Sequence, residues 1–240
     1  MRIAFLSDLH LGPGVLNRCV VDRKTITRWL DLIESTHDRV IVVGDLYDLS
    51  RPRQFGGWQR HLDSLRFEWG EVLERLEAME AVYGNHDRAR GLMGVPERIE
   101  IDADGMKMLV LHGHQFDPHI NKVPGLESVA NFAAGWFTRL GVEPLGSLMG
   151  DVVAVNERLE SRIGTQPAYD LSTQGAMSLH ADGYRVVVMG HSHQLRHLEL
   201  PAGQFINTGS WTARGAQWVS VETQSGSVHL FEDGACLNPV

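Results

Sequence analysis

Two pairs of residues able to bind metal, Asp8-x-His10 and His191-x-His193, stand near the two ends of a 240-residue chain. Three further polar clusters lie between them: Asp45 with Asp48, Asn85-His86-Asp87, and His112-x-His114. Imidazoles, carboxylates and an amide oxygen, with no thiolate among them, suit Mn, Fe or Zn and are too rich in nitrogen for Ca or Mg alone. Asp8, His10, Asp45, Asn85, His112, His191 and His193 make seven candidate ligands. That is too many for one tetrahedral ion and enough for two divalent ions sharing a bridging carboxylate. Two ions about 3.5–4 Å apart can grip phosphoryl oxygens and lower the pKa of a bridging water, whose hydroxide attacks phosphorus in line with the leaving group. Such chemistry needs no serine or cysteine nucleophile, and the chain carries no Gly-x-Ser-x-Gly motif.

Five clusters can serve one centre only if the chain brings them together, and the apolar runs before them supply the means. Arg2 to Leu6, Arg39 to Val43, Ala81 to Tyr83, Lys107 to Leu111 and Tyr184 to Met189 each read as a strand ending at a cluster. Open α/β folds hold their sites at the carboxyl edge of the sheet, where such strands end. In an extended segment Asp8 and His10 project to one face, as two ligands of one ion must, and His191 and His193 repeat the spacing. By itself each cluster is an ordinary turn; Gly84-Asn85-His86-Asp87 is rich in turn-forming residues.

Ile26, Trp29, Leu30 and Ile33 recur at helical spacing within Asp22–Glu34. Leu62, Leu65, Phe67, Trp69, Val72, Leu73 and Leu76 give His61–Met79 an apolar stripe. Strand, helix and strand in that order predict parallel βαβ units. Arg98–Ile101 and Lys107–Leu111 around Asp104-Gly105 predict a hairpin. Gln204–Ile206, Gln217–Val221 and Ser227–Phe231 alternate as antiparallel strands, with Asn207-Thr208-Gly209-Ser210 as a turn.

Residues 115–183 differ in texture. Leu126, Val129, Phe132, Ala133, Trp136, Phe137 and Leu140 form a wide apolar helical face, and further helices are expected at Asp151–Ile163 and from about Tyr169 to Leu179. This stretch reads as a helical cap inserted within a single domain spanning 1–240. Its apolar stripe is first of all core; the alternative is a hydrophobic ligand groove or a peripheral contact with a membrane.

A net charge of −8 argues against a protein that coats nucleic acid and leaves room for a local basic patch that meets a small anion. Cys19 and Cys236 are the only cysteines, no disulfide framework, and no run approaches the ~20 apolar residues of a membrane span. A cytoplasmic protein is expected; composition leaves its oligomeric state open.

Taken in order, Asp8-x-His10, Gly44-Asp45-x-x-Asp48, Gly84-Asn85-His86-Asp87, His112-Gly113 and Gly190-His191-x-His193 resemble the motif set of calcineurin-like metallophosphoesterases. The resemblance implies an α/β fold, a four-layer αββα sandwich of two mixed β-sheets. It also implies roles at the matched positions. Asp8, His10 and His193 would hold one divalent metal, most simply Mn with Fe or Zn as alternatives; Asn85, His112 and His191 would hold a second, and Asp45 would bridge them. His86 would stabilise or protonate the leaving oxygen, oriented by Asp48. The substrate would be a phosphorylated small molecule or a lipid-linked one.

In position and length, residues 115–183 are similar to the helical cap of UDP-2,3-diacylglucosamine diphosphatases of lipid A synthesis. Those enzymes typically carry Arg where this chain has His86, and an acidic cluster where it has Ser50-Arg-Pro-Arg. A general phosphoesterase is therefore the leading expectation, with the lipid-precursor pyrophosphatase and a non-catalytic metal-binding scaffold as alternatives.

Overall fold

A computed structural model describes residues 1–49, 57–117, 171–213 and 215–238. The elements run β1 (Arg2–Leu6), α1 (Arg23–Thr36), β2 (Arg39–Val43), α2 (Trp58–Ala78), β3 (Glu80–Val82), α3 (Ala89–Leu92), β4 (Arg98–Ala103), β5 (Met106–Leu111), α4 (Leu171–Ala181), β6 (Val186–Met189), β7 (Leu195–Leu200), β8 (Gly203–Thr208), β9 (Gln217–Glu222), β10 (Ser227–Glu232) and β11 (Ala235–Cys236).

Strand alternation decides the layering. In β1, Ile3 and Phe5 point to one face and Ala4 and Leu6 to the other, and all four are fully buried. A strand apolar on both faces must be covered on both faces. The inner faces of the two sheets meet in one core, where Ile3, Phe5, Ile41 and Val43 pack with Met108, Val110, Val186, Val188 and Ile206. Ala4, Leu6 and Val42 turn outward and pack under Ile26, Leu30 and Ile33 of α1 and Leu65, Leu73 and Leu76 of α2. On the far side Leu109, Leu111, Val187, Met189 and Phe205 pack under Ala176 of α4. Burying one such side chain contributes about 1.5–3 kcal/mol, so the three cores dominate the fold's stability.

The result is the expected four-layer αββα sandwich. One sheet has the order β11-β10-β9-β1-β2-β3 and the other β4-β5-β6-β8-β7. Both are mixed: β1, β2 and β3 pair in parallel, as do β5, β6 and β8, and antiparallel strands flank them. Five of the parallel strands, β1, β2, β3, β5 and β6, are the ones that lead into the polar clusters.

Several boundaries differ from the pattern reading. α2 starts at Trp58, and Gly70 (φ 46°, ψ −127°) breaks it into two helical pieces. Phe67 lies on its outer face, 93% exposed, and is no part of the stripe. β8 runs on through Asn207 and Thr208, which pair with Arg196 and Leu195 of β7. β7, an edge strand with three charged or titratable side chains in six residues, escaped the apolar pattern. The expected hairpin forms with a tight turn in which Asp104 and Gly105 both have positive φ.

The cap expected at 115–183 lies, over 118–170, outside the described residues; so do the expected Leu126–Leu140 helix and the Ser50-Arg-Pro-Arg stretch. From its last helix, α4, Ala176 packs on the second sheet as part of the fourth layer. Among the described residues no helix is long and apolar enough to cross a membrane.

Candidate metal centre

Asp8 and His10 follow β1, Asp45 and Asp48 follow β2, and Asn85 and His86 follow β3; His112 follows β5, and His191 and His193 follow β6. The geometry that gathers them differs from the extended one expected. The strands end first, and Asp8 (φ 55°), His10 (48°), Asp45 (51°), His191 (67°) and His193 (56°) all adopt left-handed backbone. Among the described residues only Asp104 and Asp233 are other non-glycines in that region. Each such residue costs of order 1–3 kcal/mol and persists only where its surroundings over-determine it. Here the backbone bonds do so: Asp8 N–H donates to Gly44 O (3.2 Å), His10 N–H to Asp45 O (3.0 Å) and Trp211 N–H to Asp8 O (3.1 Å).

The donor atoms converge. Asp8 Oδ1 lies 3.1 Å from His193 Nε2 and 3.6 Å from His10 Nε2. Asp45 Oδ2 lies 3.2 Å from His112 Nε2 and 3.6 Å from His10 Nε2, and the Nε2 atoms of His10 and His193 are 3.2 Å apart. Asp8, Asp45, His10 and His112 are at most 1% exposed. Asp8-His10-His193 and Asp8-Asp45-His112 each form a group whose ligand atoms lie within 4.8 Å of one another. Atoms bound about 2.0–2.2 Å from a common ion stand roughly 3–3.5 Å apart. Yet Asp8 Oδ1 and His112 Nε2, both buried, make no hydrogen bond. Buried acceptors left unpaired are costly, and a divalent cation satisfies all of them at once. The residues present fit a metal.

Electrostatics agree. Burial opposes ionisation of Asp8 and Asp45, but the facing imidazoles, His193 first for Asp8 and His112 first for Asp45, hold both carboxyls well below their ordinary range. Burial also opposes charge on His112, but Asp45 and Asp8 outweigh it and raise the ring to about 10. Burial holds His10 down to about 3. Two ionised carboxylates are thus buried at the centre, where facing positive charge stabilises them.

Glycines make the room. A Cβ on Gly84 would stand 2.1 Å from Asp45 Oδ1, and one on Gly190 would stand 2.6 Å from Asp8 Oδ2. Gly84 therefore serves close approach; its φ is not left-handed, so the freedom to turn expected of it is not what the site uses. Asn85 is buried between Gly84 and His86, whose N–H donates to Asp45 Oδ1 (2.9 Å).

The other expected site residues also fall here. His86 Nδ1 meets Asp48 Oδ1 at 3.1 Å, and its ring stands edge-on to His10 with centroids 4.6 Å apart. Burial opposes charge on His86, but Asp48 and Asp45 outweigh it and raise its pKa. His191 is brought beside His112, ring centroids 5.3 Å apart, but its Nε2 faces Asp117.

Ser7, Thr208 and Asp117 were not read from the sequence, and Asp87 only as a member of the Gly-Asn-His-Asp run. Asp87 accepts from the backbone N–H of Gly84 (2.7 Å) and Leu46 (2.9 Å), clasping two of the turns together. Ser7 donates to Asp8 Oδ2 and lies 2.6 Å from Thr208 Oγ1, which ties β8 to the first turn. Asp117 meets His191 Nε2 at 3.1 Å. The position of Asp87 inside the Gly-Asn-His-Asp run was the one available signal. His114 is buried against His112, ring centroids 5.5 Å apart, and lines a cleft of about 500 Å³ with Tyr83, Arg88, Leu92, Glu97 and Gln115.

Fold and site together place a cluster of candidate metal ligands at the strand ends of an αββα sandwich. A sequence model of the calcineurin-like phosphoesterase superfamily domain matches residues 1–135, more than half of the chain, and the chain belongs to that superfamily. It resembles the Escherichia coli phosphoesterase Yfce (15% identity, 100% of this chain and 98% of that one, TM-score 0.49). It also resembles zinc-complexed Vps29 of Entamoeba histolytica (17%, 98% and 96%, 0.49) and an archaeal phosphodiesterase (16%, 96% and 99%, 0.49). No curated protein matches in sequence.

Proposed function

We propose that the protein is a dinuclear metal-dependent phosphoesterase acting on a phosphorylated small molecule. The reading rests above all on the convergence of Asp8 Oδ1, Asp45 Oδ2 and the Nε2 atoms of His10, His112 and His193, with Asp8 Oδ1 and His112 Nε2 buried and making no hydrogen bond. Asp8, His10 and His193 would hold one cation and Asn85, His112 and His191 the other, with Asp45 shared. When bound, two divalent ions, Mn by donor type, supply Lewis-acid polarisation of the phosphoryl oxygens and a water of lowered pKa.

The chain's own residues supply the rest. Asp48 holds Nδ1 of His86, and in this reading Nε2 serves the leaving oxygen. An imidazolium there donates its proton as the P–O bond breaks, so that the departing alkoxide leaves as an alcohol. Val43 O accepts from His112 Nδ1 (2.8 Å), fixing the tautomer that turns Nε2 inward. The cleft beside His114 offers the ester's organic part a place next to the centre.

The deciding experiment is metal analysis of the purified protein, with hydrolysis of p-nitrophenyl phosphate and bis-p-nitrophenyl phosphate before and after chelation and Mn²⁺ reloading. Turnover that vanishes on chelation and returns with Mn²⁺ is expected. A fully loaded protein that turns over neither ester would sink the enzyme reading and favour a metal-binding scaffold.

A further inference from the structure

Each candidate ligand imidazole needs its other ring nitrogen satisfied, and the four solve this differently. His112 gives Nδ1 to the backbone carbonyl of Val43 (2.8 Å). His193 Nδ1 has only the Thr212 hydroxyl at 3.4 Å, and His10 Nδ1 is buried with no hydrogen-bond partner. His191 alone is backed by a carboxylate that is not itself a candidate ligand, Asp117, with Nε2 to Oδ2 at 3.1 Å.

The fold builds this contact from two turns. After β5, Gly113 (φ 104°) swings the chain into a single 3-10 turn, His114–Phe116, and the Asp117 N–H donates to His114 O (3.1 Å). Phe116 anchors that turn by packing into the outer core against Gly175 of α4, where a Cβ would stand 2.5 Å from its ring. From neighbouring β6, His191 is aimed by its left-handed backbone and by its own N–H, which donates to Asp8 Oδ2 (3.0 Å). Asp117 is itself buried, so the contact is shielded from solvent.

We infer that Asp117 is a positioning residue: its carboxylate accepts a hydrogen bond from Nε2–H of His191, which leaves Nδ1 as that ring's lone-pair nitrogen, and so strengthens one of the two cation positions selectively. This rests on the dinuclear reading above. A carboxylate behind a ligand imidazole fixes its tautomer and orientation and raises its basicity, and removing such a partner typically costs 10–100-fold in metal affinity. The effect belongs to the position shared by Asn85, His112 and His191.

The test uses the full chain and its D117N, D117A and D117E variants. Calorimetric titration with Mn²⁺ should resolve two equivalents in the wild type, and D117N and D117A should weaken one of them 10–100-fold while sparing the other. D117E should restore part of the loss. Independently of metal, NMR of the chelated protein should show an exchange-protected, downfield ring N–H proton assigned to His191 Nε2, lost in D117A and retained in D117E. Two equivalents at wild-type affinity in D117N and D117A would overturn the inference. So would equal loss of both equivalents with no rescue by D117E, which marks a purely structural role. A wild type that takes up no Mn²⁺ would sink the dinuclear reading instead, and the downfield proton would still report the Asp117–His191 bond.

Discussion

Asp48 Oδ1 stands 3.1 Å from His86 Nδ1, and in the proposed reaction this contact commits Nδ1 to the carboxylate and Nε2 to the leaving oxygen. Replacing His86 by Ala should lower turnover by ~10²–10⁴ with metal content unchanged. Loss of metal in the same variant would show that His86 is a ligand rather than an acid.

The pH dependence follows from the same pair. Despite burial, Asp48 and Asp45 raise the pKa of His86 above its ordinary 6.5. The active imidazolium therefore persists past that pH and is lost as pH rises through the folded value. A kcat profile should fall on its alkaline side through that ionisation, and D48N should move the fall to lower pH. An alkaline limb unmoved in D48N would separate it from His86.

Gly84→Ala places a Cβ against Asp45 Oδ1, 2.1 Å from it in the present geometry. Asp45 must swing away or the turn must shift, at roughly 1–3 kcal/mol. Melting temperature should drop by a few degrees and metal content by more than that alone explains. A variant with full metal occupancy would show that the turn yields without cost.

His37, remote from the site, accepts from the Ser220 hydroxyl at Nε2 (2.9 Å) and bonds Ile33 O through Nδ1 (2.8 Å). Burial lowers its pKa below 6.5. The folded state keeps the ring neutral where the unfolded chain takes a proton, so stability is lost as pH falls from about 6.5 toward the lower folded value. Ring titration by NMR should give a midpoint below 6.5, and denaturant stability between pH 7 and 5 should slope less in His37→Gln.

The two thiols should separate cleanly. Burial raises Cys19 to about 12, whereas Cys236 is half-buried near the end of the described chain. Iodoacetamide at pH 8 should label Cys236 in the native protein and spare Cys19 until denaturant is added, as peptide mass mapping would read out.

Much of this was legible in one dimension. Period-two burial of Ile3 and Phe5 against Ala4 and Leu6 is a local consequence of strand geometry, so runs such as Arg39–Val43 announced strands covered on both faces. Donor identity is local too: Asp8, His10, Asp45, His112 and His193 carried their chemistry in their side chains, and the structure brings their ligand atoms together. Where a charged edge such as β7 weakened the apolar signal, the strand was missed.

What only the tertiary structure decided are relations between distant segments. The left-handed backbones of Asp8, His10, Asp45, His191 and His193 replace the extended pairing that spacing suggested, because bonds such as Asp8 N–H to Gly44 O hold them there. Asp117 has no motif to mark it. It matters because one turn, held by Phe116 against α4, sets its carboxylate beside a histidine 74 residues further on. A sequence names the groups that can do chemistry; which of them touch is settled by packing, since contact energy depends on distances the chain acquires only when its layers close.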